Sequence, residues 1–554
     1  MPTRRDFIQS GLLATAAATS NTAQASNVPF SSSPLAPQSG TITFLQTTDV
    51  HCQIHAHDEL FWENDKLTFR KAGGYAHLAT ALESMRRENP ANTITVDTGD
   101  MFQGSMLSVK TQGQAFVPLL NALGYDLYLP GNWEVVYYKQ NMQHLMGSLL
   151  APKVCTNMYH DLGDGKRGGF IFQPYQIINR LGIKIGFLGY TDPLVPLRQS
   201  PYYSKGIIYA KPEENLKEYV ALLREQEKCD FVIILSHLGL SQQIALGNHP
   251  ACKGVDYIFG ADTHERVRTP LQAEYTKIVE PGAFGSFIGR LDLKIENGKI
   301  AHEKYQLIEV NPQKYPANKE VEALIRQIEK PYKNEIDKVI GYSTLPLYRN
   351  FVVENTIDTL IVDALKWKVQ ADVVLSNGFR FCPPRTADHS GKVPITEGYL
   401  FDMLPVDATI RTGTATGAQL VEWLEKELQN VFAQDASKRF GGWLIRFKGM
   451  QVEFKAFERM GHRVQKVIIA GQPLDPNQSY TLCACERDGD PEDMLCRMKG
   501  VKNAQNTSFT LHSMMKEYLK EFSPVTPILR QDAKILDAPQ TLLSQVHGVN
   551  YQFT

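Results

Sequence analysis

Thr41-Ile42-Thr43-Phe44-Leu45-Gln46-Thr47-Thr48-Asp49-Val50-His51 decides the fold. A short apolar run, Ile42 to Leu45, leads into two side chains that bind metals, Asp49 and His51. Strands of open α/β sheets present ligands at their carboxyl ends in this way. The arrangement recurs four times. Thr93 to Val96 precedes Gly99-Asp100, and Leu127 to Leu129 precedes Gly131-Asn132. Phe231 to Leu235 runs into Ser236-His237, and Val255 to Phe259 into Asp262-Thr263-His264. Glycines 99, 131 and 260 are expected to turn the backbone sharply as it leaves the sheet.

Helical spacing of Leu78, Ala79, Leu82 and Met85 predicts a helix over Gly74 to Glu88. A second helix, Ala115 to Leu123, should close at Gly124. Further strands are expected at Ile183 to Leu188, Arg290 to Ile295 and Lys304 to Val310. The alternation predicts an α/β domain over residues 40–310. A charged helical segment interrupted by Pro331 links it, over 311–339, to a second domain at 340–535. That domain mixes helices near Ile357 to Lys368 and Ala418 to Glu427 with several β runs, and 536–554 form a tail.

The 554 residues exceed one ordinary core, and a formal charge of -1 gives no footprint for nucleic acid. Thr3-Arg4-Arg5-Asp6-Phe7-Ile8, a weakly apolar stretch and Ala23-Gln24-Ala25 have the form of a twin-arginine signal over residues 1–25. A Ser/Pro-rich lead-in follows at 26–39, and a periplasmic or secreted location is expected. No segment has the roughly 18 apolar residues that a span needs. Eight cysteines are scattered without zinc spacing or a disulfide framework.

The five motifs supply Asp, His and Asn in the mixture a two-metal hydrolytic centre requires. Two divalent ions about 3.5–4 Å apart need a bridging carboxylate, with imidazole and oxygen ligands around them. Such ions lower the pKa of water and polarise a phosphoryl or sulfuryl oxygen. Mixed O and N donors suit Mn, Fe, Co or Zn, with Mn preferred and Mg also open.

In order, T-D-V-H, G-D, G-N-W-E, S-H-L-G and G-A-D-T-H resemble the calcineurin-like metallophosphoesterases, and more closely the secreted 5′-nucleotidase family. Lys71-Ala72-Gly73-Gly74-Tyr75-Ala76-His77-Leu78-Ala79 and Gln103-Gly104-Ser105 resemble its sulfate thiohydrolase branch, the SoxB enzymes. The resemblance implies a layered β-sandwich flanked by helices, then an α+β substrate domain. It implies that Asp49, His51 and His264 hold one metal, that Asn132, His237 and Asp262 hold the other, and that Asp100 bridges. Asp262 stands where the family usually has His, which makes the site more anionic.

Where the family has G-N-H-E-F-D, this chain has Gly131-Asn132-Trp133-Glu134-Val135-Val136. The family's catalytic His–Asp pair is thus Trp and Val, and an indole only donates. The SoxB-type enzymes resemble this chain in replacing the pair. A thiolate leaving group needs no protonation and tolerates the change best. Asn132, Trp133 and Arg380 are the expected catalytic set.

In the second domain, Ser376-Asn377-Gly378-Phe379-Arg380 resembles the N-x-G-x-R substrate motif, with Arg380 facing the anionic end of the substrate. Phe440 and Trp443 either give one face of an aromatic clamp or pack into the core. Asn377, Arg380, Phe440 and Trp443 are the expected substrate-binding residues. Cys485-Glu486-Arg487-Asp488-Gly489-Asp490 lacks the aromatic that nucleotidases carry late in this domain.

The leading expectation is a periplasmic two-metal phosphomonoesterase acting on nucleotides or related esters. Two alternatives stand beside it. One is a SoxB-like hydrolase releasing sulfate from a cysteine-bound thiosulfonate on a carrier protein. The other is a non-catalytic binding protein that retains the fold.

Overall fold

The computed structural model describes residues 39–376, 382–440 and 444–543. Its first domain is two sheets laid face to face. The strands and helices that place the site are, in chain order, β1 (Gly40–Thr47), α1 (Tyr75–Glu88), β2 (Thr93–Asp97), β3 (Leu127–Tyr128), β4 (Tyr175–Arg180), β5 (Ile183–Thr191), β6 (Phe231–His237), β7 (Tyr257–Phe259), β8 (Leu271–Gln272), β9 (Lys277–Val279), β10 (Phe287–Glu296) and β11 (Lys299–Glu309). One sheet runs β11-β10-β1-β2-β3 and the other β8-β9-β7-β6-β5-β4.

The central strands are parallel: β1 with β2, β2 with β3, β5 with β6 and β6 with β7. Their carboxyl ends therefore point the same way within each sheet. Between the sheets Phe44 of β1 meets Phe187, Phe231 and Phe259, with ring centroids 6.0–6.4 Å apart. At the rim, buried Gln46 donates to Thr98 Oγ1 (3.1 Å) and to the Gly260 carbonyl (2.8 Å). That side chain joins the ends of the two sheets and satisfies polar groups that burial would otherwise strand.

The helix expected at 74–88 spans Tyr75–Glu88. The one expected at 115–123 is a 3₁₀ turn, Gln114–Phe116, running into an α-helix, Val117–Leu123, closed by Gly124 at φ 68°. Pro118 at the second helical position explains the split, because its ring cannot continue a preceding α-turn. The segment after β11 breaks as expected around Pro331, into α2 (Lys319–Glu329) and a single turn at Lys333–Ile336.

The second domain contains α3 (Thr356–Val369), β12 (Val373–Ser376), β13 (Thr409–Thr416), α4 (Gly417–Phe432), β14 (Arg446–Lys448), β15 (Ser479–Cys485), β16 (Lys502–Thr510) and α5 (Leu511–Phe522). Its main sheet runs β14-β12-β15-β13-β16 and is mostly antiparallel, with only β12 and β15 parallel. The fold is thus a two-domain mixture of α/β and α+β layers. The domains are stitched by polar contacts. Gln103 Nε2 donates to the Pro405 carbonyl at 2.9 Å, and Asp58 accepts the Thr386 N–H and hydroxyl, both at 2.8 Å. Among the described residues no helix is long and apolar enough to cross a membrane. All eight cysteines are free.

Candidate metal centre

All seven expected ligands converge beyond the carboxyl ends of β1, β2, β3, β6 and β7. Asp49 Oδ1 lies 3.4 Å from His264 Nε2, 3.7 Å from His51 Nε2 and 3.8 Å from His237 Nε2. Asp100 Oδ2 lies 3.2 Å from His237 Nε2 and 3.8 Å from His51 Nε2. Both carboxylates therefore reach both halves of the cluster. Asp262 Oδ1 is 3.9 Å from His237 Nε2 and accepts from Asn132 Nδ2 at 2.5 Å.

The surroundings aim these atoms inward. His51 Nδ1 sits 3.0 Å from the Gln103 carbonyl and His237 Nδ1 2.7 Å from the Thr98 carbonyl. A carbonyl only accepts, so each Nδ1 carries a proton and each Nε2 is the nitrogen turned to the centre. Asp49 Oδ2 is occupied by the Thr48 hydroxyl (2.6 Å) and the Asp262 N–H (3.1 Å), leaving Oδ1 for the centre. Asp100 Oδ1 accepts the Trp133 N–H at 2.8 Å, which turns Oδ2 toward His237.

Ordinary side-chain pairing does not account for this cluster. Among the described residues, Asp49 Oδ1 and His237 Nε2 are buried and make no well-aligned hydrogen bond. Orphaned buried polar atoms that face one another across 3–4 Å fit a gap shaped for cations. Two triplets have the required closeness: Asp49 with His51 and His264, and Asp49 with Asp100 and His237. The donors are oxygen and imidazole nitrogen, which suits two divalent ions.

The buried cluster also shifts the protonation of its own members. Burial pulls the His51 pKa well below the usual histidine value, and the facing His264 imidazole adds to this. Burial also opposes a charged His237, but the Asp100 and Asp49 carboxylates overcome it and hold the pKa well above the usual value. Burial raises Asp49, yet the three imidazoles His237, His264 and His51 outweigh it and keep the carboxylate ionised.

The backbone is strained where it presents the ligands. Asp49, His51, Asp100, Asp262 and His264 have φ of 48°, 44°, 60°, 84° and 59°. Left-handed conformations are uncommon for residues with a side chain and gather at functional sites. Of the three glycines expected to turn the chain, only Gly99 takes a positive φ, 107°. Gly131 and Gly260 are needed for space instead. A Cβ at Gly131 would lie 2.3 Å from Asp100 Oδ1, and one at Gly260 would lie 2.1 Å from Gln243 Oε1.

Several contributors were not among the expected site residues. Glu134 is fully buried, and its oxygens accept the N–H groups of Met101 (2.7 Å) and Asp100 (3.2 Å). Burial and the nearby Asp100 push its pKa up to about 8. Arg198 Nη1 lies 3.1 Å from Asp262 Oδ2 and 3.1 Å from Asp192 Oδ2. Asp192 immediately follows β5, so the same rule that found the five motifs applies to it. Nothing in the sequence around Arg198 distinguishes it.

A cavity of about 420 Å³ adjoins the cluster, lined by Trp133, Arg198, Gln199, Tyr203, Arg349 and Arg497 among others. Trp133 therefore works twice, holding Asp100 through its N–H and walling the cavity. Phe440 is not among the described lining residues. Its ring instead lies 5.2 Å from the Arg198 guanidinium and 5.8 Å from that of Arg497. Asn377, Arg380 and Trp443 lie outside the described residues.

Residues 42–266 match the calcineurin-like phosphoesterase family, and residues 335–486 match the 5′-nucleotidase C-terminal domain. The chain belongs to the calcineurin-like phosphoesterases that carry a 5′-nucleotidase C-terminal domain. The trifunctional nucleotide phosphoesterase protein YfkN of Bacillus subtilis is 25% identical over 71% of this chain. This chain spans only 29% of that longer protein. Two solved structures share the fold almost end to end. The sulfate thiohydrolase SoxB of Thermus thermophilus superposes with a TM-score of 0.81 at 23% identity, over 91% of this chain and 98% of that one. A 5′-nucleotidase precursor from the same species gives 0.75 at 21% identity, over 90% and 100%. With this family and this cluster, the protein is a metal-dependent hydrolase.

Proposed function

We propose that this protein is an exported phosphomonoesterase that uses two divalent ions, manganese first among them, to release phosphate from nucleotides or related esters. One observation carries the reading. The cavity of about 420 Å³ shares Trp133 and Arg198 with the surroundings of the cluster, and its wall carries Arg349, Arg487 and Arg497 beside Asp407, Glu486, Asp488 and Asp490. Its size suits a nucleotide-sized ligand, and guanidinium groups suit a phosphate. The Bacillus subtilis relative, a nucleotide phosphoesterase by name, and the Thermus thermophilus 5′-nucleotidase support the choice of substrate. The segment from Thr3 to Ala25 supports export by the twin-arginine route.

In this reading Asp49, His51 and His264 would hold one ion, Asn132, His237 and Asp262 would hold the second, and Asp100 would serve both. When bound, the ions supply an acidified water and polarise the phosphoryl oxygen. The chain fixes the imidazole tautomers through Gln103 and Thr98, and turns Asp100 through the Trp133 N–H. Arg349, which lines the cavity, is held in place by Asp358 at 3.0 Å.

One observation favours a second reading. Trp133 and buried Val136 stand where an acid–base pair would be, and Trp133 and Tyr203 are the only aromatics among the described lining residues. A thiolate leaving group needs no proton, so sulfate release from a thiosulfonate-bearing carrier protein fits this wall. The deciding assay loads the full-length protein with Mn²⁺ and offers nucleoside mono- and diphosphates and a thiosulfonate peptide. Phosphate release is expected. Sulfate release alone would transfer the assignment to the second reading, and release of neither would refute both.

A further inference from the structure

Two of the three side chains that would hold the second ion, Asp262 and Asn132, are held by consecutive residues, Arg198 and Gln199. After β5 the chain passes Asp192, whose Oδ1 accepts the Leu194 N–H at 2.9 Å, and then makes a single helical turn, Val195–Arg198. Arg198 at the end of that turn reaches Asp262. Gln199 reaches Asn132, donating from Nε2 to its carbonyl at 2.9 Å and lying 3.4 Å from its Oδ1. Arg198 is not itself a suitable ligand, because a guanidinium has no lone pair to give, and Gln199 turns its Nε2 to Asn132 while its Oε1 is buried without a hydrogen-bond partner.

Asp262 is the ligand that needs most help. An imidazole at this position would be neutral, whereas a carboxylate brings a negative charge. With Asp49 and Asp100 it makes three carboxylates in the cluster, and buried Asp192 lies just outside. A carboxylate also has two oxygens that compete for one ion. Here they are separated by function. Asp262 Oδ1 faces His237 Nε2 at 3.9 Å and takes the Asn132 amide, while Oδ2 takes Arg198 Nη1 at 3.1 Å. Gly239 leaves room for this arrangement, since a Cβ there would lie 2.8 Å from Oδ2.

Arg198 is itself held through both terminal nitrogens, while its Nε makes no hydrogen bond among the described residues. Nη1 is shared between Asp192 and Asp262, Nη2 donates to the Phe440 carbonyl of the second domain, and the Phe440 ring lies beside the guanidinium. The fork is planar, permanently charged and rigid, so it holds one orientation at little entropic cost.

We propose that Arg198 is the positioning residue that lets a carboxylate serve the second metal position. It offsets the extra negative charge of Asp262 and keeps Oδ2 turned away from the ion, so that Oδ1 alone ligates. This rests on the two-metal reading above. It adds that the Asp at 262 and the Arg at 198 are one device, and that Phe440 ties this device to the second domain.

The test is a double-mutant cycle read by metal binding rather than by turnover. Mn²⁺ is titrated into the metal-free full-length protein by calorimetry, with electron paramagnetic resonance counting the ions bound. The four proteins are the parent, Arg198→Met, Asp262→His and the double variant. Arg198→Met should weaken the second ion by roughly 10–100-fold in the parent, the usual scale for removing a group that orients a ligand. In the Asp262→His background the same change should cost less than about 3-fold, because the neutral imidazole needs no guanidinium. Equal losses in both backgrounds, or no loss in the parent, would overturn the proposal. If Asp262→His does not fold, Asp262→Asn provides the neutral background. A parent chain that takes up no Mn²⁺ pair would refute the two-metal reading itself, an outcome distinct from either.

Discussion

Glu134 is the side chain on which the Asp100 loop hangs, and its replacement has a calculable cost. Each oxygen accepts a different main-chain N–H, Oε1 from Met101 at 2.7 Å and Oε2 from Asp100 at 3.2 Å. The carboxyl is fully buried, so neither amide has water as an alternative. Glutamine keeps the shape but only one acceptor, and it sets an N–H₂ against one amide. Leaving one buried donor unanswered costs about 1–3 kcal/mol. Alanine abandons both amides and leaves a void, for a combined cost of roughly 3–6 kcal/mol. The same loop holds Asp100 at φ 60°, so its loosening should also release the carboxylate that faces His237. Urea unfolding of metal-free parent, Glu134→Gln and Glu134→Ala measures the first effect without metal linkage. Mn²⁺ titration measures the second. A Glu134→Gln protein that unfolds within about 0.5 kcal/mol of the parent and binds Mn²⁺ equally well would refute the clamp.

Two further outcomes are expected. Trp133→His combined with Val136→Asp should raise phosphate release by roughly 10²-fold, the scale of positioned acid–base help, in a steady-state assay with a nucleoside monophosphate. An unchanged rate would mean that another cavity residue already performs the proton transfer. The second concerns Asp402, which lines a separate cavity of about 230 Å³ between the domains. Burial pushes its pKa up to about 7, against the opposing pull of Arg385, Gln53 and His57. Between about pH 4 and pH 7 the folded state then holds a proton that the unfolded state has lost, so this group's contribution to stability falls as pH rises through that window. The limiting slope is ~1.4 kcal/mol per pH unit for one proton. Asp402→Asn should flatten the parent's decline in unfolding free energy between about pH 5 and pH 7, and matching slopes would sink this assignment.

The convergence of these side chains was legible because one geometric rule governs it. Each of Asp49, Asp100, Asn132, His237 and Asp262 follows an apolar run, and parallel strands point all those ends in the same direction. The groups that hold the ligands were not legible, for two reasons. Glu134 and Gln103 act through main-chain atoms of distant loops, and such pairings leave no periodicity in the chain. Arg198 lies 64 positions from Asp262, and a single arginine at the end of a short turn reads as solvated until the fold places its partner. Gly131 and Gly260 were correctly marked as necessary, but for the wrong reason. A sequence does not distinguish a glycine that turns from one that must be small, because only the neighbours it would strike tell them apart.

The left-handed backbone at Asp49, His51, Asp100, Asp262 and His264 has a consequence for anyone who evolves this protein. Each such residue costs of order 1 kcal/mol that glycine would not incur. Selection for thermal tolerance alone, performed without metal, would reward glycine or asparagine at these positions and so erode the centre first. Libraries screened for heat resistance should therefore be grown and challenged with divalent metal present, so that metal binding rewards the conformations it needs.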